Sequence, residues 1–347
     1  MATQTRRMDK PAGIDGFAGF EGLDGFAVQR RMEAANEDPD ALRALLEERI
    51  AHWLDGSNAE ADLLTAAMRA GTLSAGKRLR PLLLMLVARD LGCVSPALVD
   101  VACAVEMVHA ASLILDDMPC MDNAMLRRGK PTIHVQFGED VAILAAIALL
   151  SRAFGILSSS QDIAPSVRAR LVTRLSETIG TQGLVKGQFL DLRGGARSPE
   201  EIAATNELKT GVLLGVSVDM AAIIAQANDE VAGALRAFAF AAGQAFQIRD
   251  DFQDGFGHDS SVTGKDVGKD IGKSTMIATL GVEEARRRLT AHLAEADRQL
   301  ERALGKRQGT RLLVKKLFGS IGRPAPAQVQ VTVAERAYAR DPGLLPN

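Results

Sequence analysis

Aromatic side chains are scarce, with 1 Trp, 1 Tyr and 12 Phe in 347 residues, and the formal net charge is only −2. A chain with so few rings to stack bases and no basic excess is not built to bind nucleic acid. Cysteine is nearly absent. Cys93, Cys103 and Cys120 show no CxxC or CxxxH spacing; they are expected as reduced core or near-core residues, with metal ligation a remote second reading. Long apolar runs are missing too: the longest, Val141 to Leu150, is too short to span a bilayer. The N-terminus has Arg6, Arg7 and Lys10 but no apolar segment behind them, and it mixes in Asp9, Asp15, Glu21 and Asp24. Neither a secretory signal nor a transit peptide is expected, so the location expected is cytoplasmic. Finally, no set of alternating β-branched segments appears.

What remains is helix. From Asp40 to about Leu317, Ala, Leu, Ile, Glu and Arg recur at helical spacing, and short Gly, Pro, Ser or Asn breaks interrupt them. The spacing predicts helices over 41–54, 59–70, 80–91, 97–117, 140–158, 165–182, 199–209, 212–228, 230–253 and 282–304. The fold expected is all-α, a single large helical bundle around one core. Residues 1–40, punctuated by Gly and a near-repeat of Asp-Gly-Phe, read as a flexible extension. Residues 41–320 read as the helical domain, and the Pro-broken stretch 321–347 as a loosely structured tail.

Two acidic clusters stand out in this apolar background, Asp116-Asp117-Met-Pro-Cys-Met-Asp122 and Asp250-Asp251-Phe-Gln-Asp254. Carboxylates crowded this closely repel unless a cation lies between them. A hard divalent ion such as Mg²⁺, sharing its coordination with substrate phosphate, meets that need. Glu106, His109, Leu113 and Asp116 fall on one helical face. Pro119 should end that helix and let Asp122 turn back toward Asp116. Arg127-Arg128-Gly129-Lys130 follows as a basic turn suited to phosphate. In the second cluster, Asp250 and Asp254 are i, i+4 neighbours and Gln247 precedes them by a turn. The apolar stretch just upstream places this helix mostly inside.

Two further basic segments accompany the clusters. Gly76-Lys77-Arg78-Leu-Arg80-Pro81 brings cations to a helix N-terminus. Lys265, Lys269 and Lys273 lie on a Gly-rich loop, a pattern suited to cradling anions. Each basic segment alone is compatible with an ordinary charged surface; the ordered combination is not.

That combination resembles the trans-polyprenyl diphosphate synthases. Asp116-Asp117-x4-Asp122 with Arg127-Arg128-Gly129, Phe246-Gln247 before Asp250-Asp251-x2-Asp254, Gly76-Lys77-Arg78-x-Arg80-Pro81, Gly187-Gln188-x2-Asp191 and Lys209-Thr210-Gly211 all match, over about residues 40 to 300. The wording around Leu115 is similar to bacterial geranylgeranyl diphosphate synthases that feed carotenoid formation. The resemblance implies a Mg²⁺ cluster, of three ions with Mn²⁺ as a substitute, held by Asp116, Asp117, Asp122, Asp250 and Asp254. It implies isopentenyl diphosphate on Lys77, Arg80, His109 and Arg128. The allylic diphosphate would lie on Arg127, Lys209, Lys265 and Lys273, with Thr210 and Gln247 placing oxygen dipoles near the allylic cation. Lys209, Thr210, Gln247 and Lys265 are thus the catalytic candidates, and a homodimer is implied as well.

Three features depart from the family's pattern: Ala124 and Met125 where acidic residues are common, Arg249 before Asp250, expected to face outward, and a tail unlike the usual helical end. Product length should be set along the first aspartate helix. Ala111 and Ser112 are small, where a bulky aromatic closes the tunnel in farnesyl-forming relatives. Met107 and Val108 lie a turn deeper, so the expected product is C20, with C15 or longer chains as alternatives. A class I terpene cyclase would carry an Asn/Asp-x-x-Ser/Thr-x-x-x-Glu motif in place of the second cluster. A non-catalytic partner subunit would usually lack one cluster, and this chain keeps both.

Overall fold

The sequence from Ala97 to Asp116 is apolar on nearly every face, so the helix it forms has no side suited to water and must sit at the centre. It does: Val99, Val101, Ala102, Cys103, Val105, Met107, Val108 and Ala111 are fully buried. The computed structural model describes residues 25–35, 38–55, 62–193, 198–255, 277 and 280–318. In chain order its helices are α1 (Gly25–Ala35), α2 (Pro39–Leu54), α3 (Leu63–Thr72), α4 (Leu79–Asp90), α5 (Ala97–Asp116), α6 (Ile133–Phe137), α7 (Glu139–Ser159), α8 (Pro165–Ile179), α9 (Leu184–Arg193) and α10 (Pro199–Asn206). A π-helical turn (Glu207–Gly211) leads into α11 (Val212–Ile224), and α12 (Asp229–Gly255), α13 (Val282–Leu304) and α14 (Gly309–Phe318) follow.

Helices α4, α5 and α11 pack on one another in the middle; α2, α3 and α7 flank α5, α8 and α12 flank α11, α13 runs along α12, and α14 lies on α4. The all-α expectation holds, and the strands among the described residues are a two-residue antiparallel pair, β1 (Leu126–Arg127) and β2 (Lys130–Pro131). Arg128 and Gly129 link them with φ of 53° and 76°, the left-handed pair that a tight hairpin demands.

Several expectations are corrected. The stretch 1–40 includes the helix α1, whose Val28 and Met32 are buried in the core; the Gly punctuation runs up to its first residue, Gly25, and hid it. Helix α9 was absent from the periodicity because Gly183 stands just before it and Gly187 interrupts it. A Cβ on Gly187 would stand 2.6 Å from the Lys209 amide nitrogen, so the glycine is there for close packing on the π turn. The helix predicted to stop at Lys209 instead continues through that π turn into α11. Cys103 is buried and Cys93 half-buried as expected, but Cys120 is exposed. Two helices, α5 and α7, are long and apolar enough to cross a membrane by length and composition, although no uninterrupted apolar run reaches that length. Burial of α5 explains its composition; only 39% of the corresponding window of α7 is buried.

Candidate active site

The first aspartate cluster forms as the Pro119 argument requires. Helix α5 ends at Asp116, with Asp117 as its C-cap. The backbone N–H of Asp122 donates back to the Asp116 carbonyl at 2.9 Å, and that of Asn123 to Met118 at 2.9 Å. The doubled-back chain brings Asp122 close enough to Asp116 for their charges to repel. Burial pushes the Asp116 carboxyl up to about 6; the pull of Lys209 and Arg127 opposes it, and repulsion from Asp122 and Asp117 adds to it. Asp117 is turned elsewhere. Arg127 grips it from the hairpin, Nε to Oδ2 at 2.7 Å and Nη2 to Oδ1 at 2.6 Å.

Lys209 enters from the π turn. Its Nζ donates to Asp191 of α9 at 2.7 Å. Burial disfavours its charge, but Asp116 and Asp191 overcome that and hold its pKa above the ordinary value. A π turn widens the helix by a residue, and the Gly187 contact seats α9 directly on it. Those two local features put an ammonium between carboxylates from three elements. Asp191 and Gln188, brought here by α9, were visible in the sequence only as family motif, because polar residues on an interrupted helix carry no periodic signal.

The basic side of the site is built on the loop before α4. Arg78 is buried at φ 48°. It donates from Nη1 to the Thr72 carbonyl at 2.8 Å and to Glu106 at 2.7 Å, from Nη2 to the Ser74 carbonyl at 2.9 Å, and from Nε to Glu47 at 3.0 Å. From outside, Arg128 donates to the Ala75 carbonyl at 2.7 Å. The loop is thereby held from both sides, which aims Lys77 and Arg80. Sequence reasoning passed over Arg78, since nothing in a basic tripeptide tells which member turns inward.

Arg80 Nη1 lies 3.2 Å from His109 Nε2. Because guanidinium only donates, Nε2 is the acceptor and the imidazole proton belongs on Nδ1. Burial and the surrounding Arg80, Arg128, Arg127 and Arg78 charges push His109 well below its ordinary pKa, so it is a neutral donor. Burial pushes Arg80 itself down to about 10, with Glu106 and Asp250 opposing and Arg128 assisting. Lys77 is lowered by burial and by Arg249, with Asp250 opposing. The second cluster therefore faces this basic corner: Asp250 is felt by both cations. On α12, Gln247 Nε2 donates to Asp251 Oδ1 at 3.2 Å. Arg249, expected outside, is instead 3% exposed.

Some predicted residues fall beyond this description. Lys265 and Lys273 lie outside the described residues, as do the side chains of Thr210 and Asp254, whose backbones belong to the π turn and the last turn of α12. Ala111, Val108 and Met107 are buried along α5, and Ser112 is half-buried, its hydroxyl donating to the His109 carbonyl at 2.9 Å.

Among the described residues, no three His, Cys, Asp or Glu side chains converge closely enough to hold a metal by themselves. Asp117 is engaged by Arg127, and the Asp254 side chain lies outside the described residues. The donors nonetheless fit a hard divalent ion that also takes oxygen from an anionic ligand, since Asp116, Asp117 and Asp122 are carboxylates that repel one another. Buried polar atoms without a partner among the described residues include Arg80 Nε, His109 Nδ1 and Gln188 Oε1. A native site leaves such groups unmatched when a ligand normally satisfies them.

Comparison with known proteins shows the family. Residues 61–319 match the family described as polyprenyl synthetase. A geranylgeranyl diphosphate synthase of Pantoea ananas is 50% identical over 263 residues, 75% of this chain and 86% of that protein. An FPP/GFPP synthase structure from Zymomonas mobilis superposes with TM-score 0.69 at 33% identity, covering 84% of this chain and 100% of that one. A Helicobacter pylori geranyltransferase, solved with magnesium and isoprenyl diphosphate, gives TM-score 0.69 at 27% identity over 82% of this chain and 97% of that one. With the family model matching residues 61–319 and a relative 50% identical over 75% of the chain, the chain belongs to the polyprenyl synthetase family.

Proposed function

We propose that this protein condenses isopentenyl diphosphate with an allylic diphosphate, releasing diphosphate and ending at the C20 geranylgeranyl product. The observation that carries the reading is the pairing of two carboxylate clusters with a separate, inward-held cation corner, one arrangement for each diphosphate. The 50% identity to a geranylgeranyl diphosphate synthase supports the product length. Asp116, Asp117, Asp122, Asp250 and Asp254 would hold Mg²⁺, which when bound stabilises charge on the departing diphosphate. A cluster of three ions, and Mn²⁺ in their place, belong to the same proposal.

The chain's own groups have distinct tasks. Lys209, held charged by its carboxylate neighbours, and Arg127 bind the allylic diphosphate and neutralise the negative charge that grows as the C–O bond breaks. Lys265 and Lys273 are assigned to the same anion. Lys77, Arg80, the Nδ1–H of His109 and Arg128 fix isopentenyl diphosphate so that its double bond faces the allylic carbon. Thr210 and Gln247 would supply oxygen dipoles near the developing cation. Apolar walls along α5 exclude water. No described side chain is placed as a general base, so the released diphosphate takes the final proton.

The direct test is incubation with isopentenyl diphosphate and each allylic primer, with and without Mg²⁺, followed by chromatography of the dephosphorylated products. A Mg²⁺-dependent C20 alcohol is expected; absence of elongation from folded protein overturns the reading. Within it, Arg80→Ala should raise KM for isopentenyl diphosphate by at least about tenfold while KM for the allylic substrate stays within about twofold. Equal changes in both would dissolve the two-subsite assignment.

A homodimer is part of the proposal. Ile143, Leu144 and Ile147 stand on the outer face of α7 with exposures of 42%, 54% and 56%, a contiguous apolar patch that a second copy would cover. Ile147→Glu should shift the sedimentation coefficient to that of a monomer; an unchanged value would put any interface elsewhere. Residues 41–320 form the catalytic unit in this proposal, and a cytoplasmic setting and supply of carotenoid-type pathways go with it.

A further inference from the structure

Arg249 has no task in the reaction described above, yet its guanidinium is among the most deeply enclosed charges in the molecule. It is 3% exposed, and a buried cation is costly unless paired and hydrogen-bonded. Nη2 donates to Asp250 Oδ1 at 2.9 Å and Nη1 to the Leu317 carbonyl at 3.2 Å. Cζ lies 4.0 Å from the centre of the Phe246 ring and 5.7 Å from that of Phe318. The two rings meet edge to face at 6.4 Å. Phe318 and Leu317 close helix α14, and together with Ala245, Ile248, Ala285 and Leu289 they make a small second core between α12, α13 and α14.

The contact with Asp250 is not what helix geometry supplies by default. Successive residues on a helix point about 100° apart, so i and i+1 side chains do not face each other. Arg249 reaches sideways to its neighbour because the other arm of the fork is pinned to α14. Nε, meanwhile, finds no acceptor among the described residues. The same guanidinium is felt at Lys77, where it opposes the charge of the ammonium. It therefore stands where the C-terminal helix, the second aspartate cluster and the basic corner meet.

We infer that Arg249 is a positioning residue: anchored by the Leu317 carbonyl and the Phe246–Phe318 pair, it orients the Asp250 carboxylate for metal and so couples the seating of α14 to metal affinity. The inference rests on the reading of Asp250 as a metal ligand. An outer partner that fixes a ligating carboxylate typically changes metal affinity by about 10- to 100-fold when removed.

The test uses the full-length protein and Arg249→Met, which retains an unbranched apolar stem between the rings. Its thermal midpoint without metal should stay near that of the wild type. The Mg²⁺ concentration for half-maximal turnover should rise about tenfold or more, with KM for isopentenyl diphosphate nearly unchanged. A readout independent of turnover is the increase in thermal midpoint on titrating Mg²⁺ in the presence of inorganic diphosphate, which should need correspondingly more Mg²⁺. Phe318→Ala, which does not touch Asp250, should shift the same Mg²⁺ curves in the same direction by less. If Arg249→Met leaves both Mg²⁺ curves where they were, or only lowers the metal-free thermal midpoint, the residue is a structural staple and the inference fails. Asp250→Ala separates the two levels. If it retains wild-type Mg²⁺ dependence, the metal-ligand reading is wrong and the inference falls with it. If it is inactive while Arg249→Met is normal, only the inference falls.

Discussion

Asp116→Ala should lower turnover by at least about a thousandfold, equivalent to roughly 4 kcal/mol of lost transition-state stabilisation, while the protein stays folded. The companion result is less obvious: Asp116→Asn should make the metal-free protein more stable at neutral pH. Burial and like charge raise the folded-state pKa of Asp116 from its ordinary 3.8 to about 6. The folded protein then holds this proton through a pH range in which the unfolded chain has released it. Stability from this group accordingly falls as pH rises between those two values, and the full penalty is present above about 6. At pH 7 the asparagine variant escapes a cost of about 3 kcal/mol; near pH 4 the two proteins should melt alike. Thermal melts of both across that range, without metal, check the sign and the window. Mg²⁺ with inorganic diphosphate should narrow the gap at pH 7 by stabilising only the aspartate form. An Asp116→Ala protein with normal metal-dependent turnover would remove the end of α5 from the site altogether.

Ala111→Phe should change what is made more than how fast. Ala111 is fully buried one turn and a half before Asp116, with Val108 and Met107 deeper along the same helix. If the chain grows down α5, a phenyl ring at this level meets it after three isoprene units, and the main product moves from C20 to C15. A larger side chain in a packed interior also costs about 1–3 kcal/mol, so a lower melting temperature accompanies the change. Ser112→Phe is the check on that cost, because Ser112 is only half-buried and takes added volume more easily. Product chromatography of both variants decides the matter. Unchanged C20 from both would mean the growing chain does not pass this face of α5.

The helical class was legible because it depends on residue spacing along the chain, which short-range sterics and hydrophobic periodicity govern. The same holds for the break at Pro119: a missing N–H and a ring clash end α5 whatever surrounds it, and Asp122 turns back as a result. The acidic clusters announced themselves through charge density, a property no folding can hide. Where glycine interrupted the pattern, local reasoning stopped. Gly187 reads as a helix breaker until the π turn of residues 207–211 is seen packed against it, and α9, with Asp191 and Gln188, was lost with that break.

Direction of side chains belonged to the tertiary structure alone. Arg78, Arg80 and Arg249 are chemically alike in the sequence. One is buried as a clamp on Glu106, one faces His109, and one is enclosed by two phenyl rings from helices far apart in the chain. Likewise Asp116 and Asp117 are neighbours of one type, and burial raises both, yet the first is drawn toward Lys209 while the second is gripped by Arg127. Which elements come to rest beside a residue sets its electrostatic environment, and that depends on contacts between segments remote in sequence. The sequence by itself determined the helices, their ends at proline and the chemistry available. Only the packing of those helices decided which charges meet, which are left waiting for a ligand, and which hold the others in place.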